Sequence, residues 1–424
     1  MVVPGDVVAG APGDVVMLGG TVEEHGHTEV ARDPLATEVA QPVAAGESPR
    51  NCRPGSLDPK KVGGKIVLCI DNDPTVSRRI KKLVVEDAGA KGMILINEDE
   101  KGVPFDSGVF PFVEVGNKAG YKILKYMNSN KKPTATILPT VNVSKYKPAP
   151  VVAFFSSRGP GGLTENILKP DIMAPGVAIL AAITPKTEAG KVVIREEPSQ
   201  FGIRSGTSMA CPHVTGAAAF IKSVHPGWSP SMIKSALMTT ATLRDNTGRA
   251  SRNNSGYTAN PHEMGVGEIS LFRALNPGLV LETTAIDYLQ FLCYYNYSKK
   301  TIRSIAKTNF SCPRNSSPSL ISNINYPSIS IGSLDRSRAV QIIQRTLTNV
   351  GSPNTTYLAH VQTSNRLIVK VSPKKIAFKE GTRKVSFKAS FYAHEAPVGY
   401  NFGSITWTDG EEHSVRIVFA VNVE

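Results

Sequence analysis

The sequence predicts a multi-domain chain of α/β and β architecture, and three observations carry that reading. Residues 51–145 alternate buried-strand and helix patterns. Residues 148–284 combine Pro-rich turns with long helices of small and apolar residues. Residues 325–424 hold β-branched, alternating runs with turn signals at roughly 8–12-residue spacing, which argues a β-sandwich.

The length of 424 residues suits about three domains. Apolar residues make up 41% and charged residues 20%, an ordinary globular balance that excludes disorder for the bulk of the chain. Gly 36 and Pro 30 without a G-X-Y period exclude collagen and favour a turn-rich fold. No run of about 18 apolar residues exists, so no membrane span is expected. The first 20 residues lack a basic start, and Asp6 and Asp14 interrupt their apolar run, so no signal peptide is read there.

Taken in order, residues 1–50 have weak periodicity and are expected to be irregular and outside any assigned domain. Buried strands are expected at 65–71, 92–97, 112–115 and 134–138, with helices at 76–88 and 116–128. A strand at 151–155 and a loop at 156–170 follow. A helix is predicted over 208–224, with Pro212 in its first turn, where N–H groups lack partners anyway. Ser229 caps a further helix that begins at Pro230 and runs to about residue 241. Residues 285–324 read as a connecting helix near 287–294 and a polar loop.

The net charge is +13 and uneven. Residues 1–50 are acidic, whereas 299–424 carry 17 basic against 7 acidic residues. Lys and Arg are scattered singly through strand-like sequence, as at Lys370, Lys374, Lys379 and Lys388, with no nucleic-acid motif. A solvated surface is the expected reading, and no nucleic-acid partner is. In a cell wall, polyanionic polysaccharide would be another partner for such a balance.

The five cysteines form a close pair (Cys52, Cys69), a single (Cys211) and a second close pair (Cys293, Cys312). Neither pair has zinc-site spacing, and no metal or cofactor is expected. Disulfides within the two pairs, with Cys211 free, would suit an oxidising compartment; five buried thiols remain the alternative. Sequons at Asn142, Asn253, Asn296, Asn309, Asn315 and Asn354 favour a secreted glycoprotein.

The segment Ser205-Gly206-Thr207-Ser208-Met209-Ala210-Cys211-Pro212-His213 carries the chemistry. A Gly before a Ser that opens a helix turns the backbone sharply and presents the hydroxyl. The helix N-terminus adds positive potential and free N–H groups, which suit an oxyanion. On pattern alone, Ser208 as a plain N-cap is the commoner case.

The run from Ser205 to Gly216 resembles the serine motif of plant subtilisin-like proteases (subtilases). Phe155–Pro160 and Leu168–Gly176 resemble the stretch before that motif, and His225–Pro230 through Ala241 the stretch after it. Residues from Cys52 resemble the protease-associated domain inserted in these enzymes, and those from Asn325 their fibronectin III-like domain. The implied organisation is a protease-associated α/β domain at 51–145 and the C-terminal part of a parallel α/β subtilisin-like catalytic domain at 148–284. A fibronectin III-like sandwich at 325–424 follows.

The resemblance implies an extracellular serine-type endopeptidase acting on peptide or protein substrates, with Ser208 as nucleophile of a Ser–His–Asp triad and no cofactor. For the protease-associated domain it implies substrate access or a homodimer contact. In the family, the D-[ST]-G, G-H-G-T-H and S-A-G-N segments that carry the Asp, His and oxyanion Asn precede the protease-associated domain, and none of them is found in residues 1–50 of this sequence. His25-Gly26-His27-Thr28 is only superficially similar; an Asp upstream of it (Asp6 or Asp14) lies too close for the family's separation. His213 belongs to the serine motif and is not the family's base, and Cys211 is expected as a small packing residue. The expectation is a chain corresponding to the C-terminal portion of a subtilase, without signal peptide, prodomain or the first part of the catalytic domain, and without triad-dependent hydrolysis. The alternative is an inactive binding or scaffold protein of protease-associated and fibronectin-like modules.

Overall fold

The computed structural model describes residues 7–9, 15–18, 37–40, 51–72, 75–97, 110–138, 147–183, 200–307, 309–337, 340–363 and 366–424. They divide into two compact units, one of residues 1–147 and 176–209, the other of 148–175 and 210–424.

Period-2 alternation builds the first unit. Strands β1 (Val7–Ala9), β2 (Val15–Leu18), β3 (Thr37–Ala40), β4 (Ile66–Ile70), β5 (Gly92–Asn97), β6 (Phe112–Gly116) and β7 (Thr134–Leu138) form one sheet in the order β1-β2-β7-β3-β4-β5-β6. Helices α1 (Pro59–Val62), α2 (Arg78–Asp87) and α3 (Asn117–Ser129) cover it. Ile66, Leu68, Ile94, Ile96, Val113 and Val115 point to one face and pack with Ile123 and Met127 of α3. Val67, Cys69, Met93, Leu95 and Phe112 point to the other and meet Val62 of α1 and Val85 of α2. All six residues of β5 are buried, which explains its unbroken apolar run. Gly120 lies so close to Ile96 that a Cβ there would stand 2.5 Å from it, so α3 seats directly on the sheet.

Residues 1–50 are not wholly irregular, because β1, β2 and β3 lie within them. Each is only three or four residues long, too short to display a period. β1 pairs with the neighbouring β2, but the further partners are distant: Val15 is registered with Ala135 and Val39 with Ile66. His25, His27, Asp6, Asp14 and Asn142 lie outside the described residues.

In the second unit, β8 (Val151–Val152) stops three residues short of the expected strand, because Arg158 turns the chain. Its guanidinium donates to the carbonyls of Ala153, Phe154 and Ser156 and reaches Asn254. The chain then supplies the first unit with an antiparallel hairpin, β9 (Ile179–Ala182) and β10 (Phe201–Arg204), before α4 (Thr207–Val224). Helix α5 (Pro230–Thr239) is capped by Ser229 Oγ, which accepts from Met232 N at 3.2 Å. Its Ile233, Ala236 and Leu237 pack with Ala217 and Ile221 of α4. Strand β11 (Arg252–Asn253) pairs in parallel with β8. Helices α6 (Pro261–Met264) and α7 (Leu271–Leu275) and strand β12 (Leu279–Val280) follow.

The connecting segment holds more than the expected single helix. Helix α8 (Ala285–Tyr294) carries a Thr284/Asp287 capping box, α9 (Lys299–Ala306) follows after four residues, and a 3₁₀ turn spans Pro318–Asn323. The α9 period is short and its apolar residues few, so it reads as polar loop in sequence.

Strands β13 (Ser328–Leu334), β14 (Gln341–Asn349), β15 (Thr356–Thr363), β16 (Ile368–Ser372), β17 (Lys375–Ala377), β18 (Lys384–Tyr392), β19 (Gly399–Thr408) and β20 (Ser414–Val423) make two sheets, ordered β12-β14-β18-β16 and β13-β20-β19-β15-β17. Trp407, Phe387, Phe391 and Phe419 fill the core between them. Gly410 at φ +84 lets the β19–β20 connection turn tightly. Arg345 is buried and donates to the carbonyls of Tyr326, Gln344 and Ser328, and burial lowers its pKa to about 9.

His262 of α6 is also buried, with ring contacts to Tyr400 at 4.4 Å and Phe402 at 5.2 Å. Burial lowers its pKa below the ordinary 6.5, with Glu165 acting weakly the other way. The folded state therefore binds a proton less readily than the unfolded chain. Stability from this site is present above the unfolded pKa and falls as pH drops through it toward the lower folded value. His262→Phe is expected to flatten the loss of melting temperature below about pH 6.5 relative to wild type, measured by thermal unfolding across pH. Parallel pH profiles would contradict it.

Candidate active site

The β9–β10 hairpin delivers the chain to Ser208 through three short hydrogen bonds. Ser205 Oγ accepts from Ala178 N at 2.9 Å, and Gly206 N donates to Gly176 O at 2.8 Å. Met209 N then donates to Gly206 O at 2.9 Å, closing a tight turn at the mouth of α4. Ser205 and the 176–178 segment are thus positioning groups that the motif alone does not reveal, because their pairing spans about 27 residues of separation.

Ser208 is the second residue of α4 and is exposed. Its hydroxyl stands in the first turn, at the positive end of the helix dipole. Pro212 is not in the first turn, as expected from sequence, but the sixth residue of the helix. It lies four residues after Ser208, so the N–H that would bond the Ser208 carbonyl does not exist. The Ser208 carbonyl is released from the ladder directly beneath the hydroxyl. Ser208 Oγ has no hydrogen-bond partner among the described residues.

Cys211 is free and exposed, not a packing residue. Only Ala217 and Ile221 of α4 are buried, one turn apart on one stripe, which leaves Cys211 off the packed face. Val214 and Ala218 are partly buried against the same cluster, whereas Phe220 at 45% and Val224 at 49% exposure stay open. A groove of about 510 Å³ runs along α4 and α5, lined by Cys211, Val214, Ala218, Trp228, Ile233 and Leu237.

His225 Nε2 pairs with the Leu275 carbonyl at 2.8 Å while its ring stacks on Trp228 at 4.0 Å. His413 Nδ1 lies 2.5 Å from Asp409 Oδ2 inside the sandwich unit. His213, His360 and His394 are exposed. No described His or carboxylate is hydrogen-bonded to Ser208.

The motif residues flanking the serine segment act as clamps. Tyr326 donates to Asp171 Oδ1 at 2.7 Å, and Lys169 bonds the same carboxylate at 2.8 Å. Burial, then the Asp171 charge, pushes the Tyr326 phenol far above its ordinary range. The segments around Asp171 and Tyr326 are thereby tied together across 155 positions.

Cys52 is bonded to Cys69, and Cys293 to Cys312. Of the sequons, Asn296, Asn309, Asn315 and Asn354 are exposed. Asn253 differs: its amide nitrogen, where a glycan would attach, donates to Glu263 at 3.1 Å. No His/Cys/Asp/Glu group that could hold a metal exists among the described residues. No helix among them is long and apolar enough to cross a membrane.

Family models match in three places: the subtilase family over 97–267, the PA domain over 35–146 and a fibronectin type-III domain over 323–421. The PA match opens at 35 and so takes in β3, which pairs with β4. Among curated proteins, the chain is 41% identical to the CO(2)-response secreted protease of Arabidopsis thaliana, over 89% of its own length and 49% of the relative's. It is 42% identical to Subtilisin-like protease SBT1.6 of the same plant, over 89% and 50%. It is 39% identical to Subtilisin-like serine-protease S of Lotus japonicus, over 90% and 50%. The chain spans about half the length of the curated relatives it matches. Ser208 thus stands at a helix mouth inside the stretch that matches the subtilase family, with a PA-domain match before it and a fibronectin type-III match after it, and the chain is similar to subtilisin-like proteases over nearly all of its own length.

Proposed function

We propose that the chain supplies the nucleophile of a subtilisin-type serine endopeptidase, secreted and acting on peptide or protein substrates. The observation that carries this is Ser208, exposed in the first turn of α4 and held there by the Gly176–Ala178 clamp. A hydroxyl so placed attacks a peptide carbonyl when a base removes its proton. The oxygen charge that develops is stabilised by N–H groups at the helix mouth. The tetrahedral adduct breaks its C–N bond, the base returns the proton to the departing amine, and water then hydrolyses the ester on Ser208 to free the acid and restore the hydroxyl.

The base, its carboxylate and the oxyanion Asn have no matching segments in residues 1–50, ahead of the protease-associated domain, so we assign these 424 residues no triad-dependent turnover of their own. The role of the protease-associated unit is substrate access or a contact between two copies. The four exposed described sequons and the two disulfides support an extracellular site.

The test is complementation. A polypeptide carrying the Asp, His and Asn segments of a close relative is added to residues 1–424, and a fluorophosphonate probe is applied. Labelling that maps to Ser208 and disappears in Ser208→Ala is the expected result. Labelling that persists in Ser208→Ala, or none with a complement shown to bind, contradicts the assignment.

A second reading is a non-catalytic scaffold, favoured by the absence of any described partner for Ser208 Oγ. Its mark is capture of a partner that is indifferent to Ser208→Ala.

A further inference from the structure

We propose that the end of α8, helix α9 and the loop at Arg314 form a binding face for an anionic polysaccharide, a glycan whose sugars carry carboxylates. Residues 288–334 contain Lys299, Lys300, Arg303, Lys307 and Arg314 and no acidic residue. At 100° per residue, Lys299, Lys300 and Arg303 fall within an arc of about 100° on α9. All three are exposed, and none has an ion-pair partner among the described residues. This contrasts with Lys82, Lys169 and Lys384, each paired with a carboxylate.

The disulfide places Cys312 5.7 Å from Cys293 between Cα atoms, which fixes exposed Arg314 near the end of α8. A row of rings adjoins the charges. Phe291 and Tyr295 stack at 6.0 Å, and Tyr295 and Tyr297 lie 5.8 Å apart. Tyr297 is 45% exposed and immediately precedes Ser298, the N-cap of α9. Rings offer flat apolar surfaces with a polar edge, suited to the C–H faces of sugars, while the cations meet carboxylates. Ile302 of α9 is 1% exposed and turned into the protein, so the helix lacks a continuous apolar face for a bilayer.

The experiment measures binding of residues 1–424 to polygalacturonate by affinity electrophoresis. The protein is deglycosylated first, because a glycan on Asn296 would stand between the two tyrosines. Binding is expected to weaken with salt. Lys299→Gln/Lys300→Gln/Arg303→Gln together are expected to weaken it about tenfold or more. The same number of changes on the sandwich, at Lys374, Lys379 and Lys388, should leave it within about twofold. Tyr297→Ala, which alters no charge, should weaken it several-fold and decides the matter if the triple variant fails to fold by circular dichroism. Equal losses from both triple variants, or no loss from Tyr297→Ala, would overturn the proposal. So would equal affinity for fully methyl-esterified polygalacturonate, RNA or anionic vesicles.

Discussion

Trp407→Ala is expected to cost about 3–5 kcal/mol and to unfold the β-sandwich at temperatures where the parent remains folded. Trp407 is fully buried in β19 and meets Phe387 of β18, on the opposite sheet, at 5.1 Å between ring centroids. Removing the indole deletes the largest side chain of that core, and the two sheets cannot close over the space without breaking their register. The Ile342→Ala change in β14 serves as the reference, since Ile342 is 48% exposed. It is expected to cost no more than about 1 kcal/mol. Denaturant unfolding followed by amide exchange in β19 and β20 separates the two. Equal costs would mean that the sandwich is not held by its aromatic core.

Asp71→Ala in the first unit is expected to be similarly severe, at about 3–5 kcal/mol. Lys81 of α2 is fully buried, and its ammonium lies 2.6 Å from Asp71 Oδ1, just beyond the end of β4. Taking away the carboxylate leaves a charge in a low-dielectric site with no compensation. Lys81→Met removes that charge and keeps the volume, so it is expected to cost clearly less. Denaturant midpoints of the two variants measure the difference, which should change little with salt because the pair is buried. Asp71→Ala no worse than Lys81→Met would contradict the description of this pair.

The sequence made legible what local periodicity encodes. The unbroken run of β5 is a strand buried on both faces. The Ser229-Pro230 step opens α5. Gly381 and Gly410, marked as turns, take φ +83 and +84. What stayed hidden depends on partners far away in the chain. Strands β2 and β3 exist only through their registers with β4 and β7, and β1 pairs with β2. Arg345, an ordinary surface-type residue in sequence, is buried because three backbone carbonyls surround it. Lys81 is buried because Asp71 sits opposite. At the candidate site, the helix that opens beside Ser208 was legible in the sequence, whereas the Ala178–Ser205 clamp was not. The exposure of Cys211 was also missed, because a small apolar residue in an apolar helix reads as core until the packed stripe, Ala217 and Ile221, is known.

The proposed function takes Ser208 as a nucleophile and assigns its proton acceptor to none of the segments in residues 1–50. The most direct test is the initial rate of fluorogenic-peptide hydrolysis by purified residues 1–424, set beside that of the Ser208→Ala variant. The account predicts two indistinguishable background rates. A measurable rate in the parent that vanishes in Ser208→Ala would show a complete catalytic apparatus in this chain and contradict it.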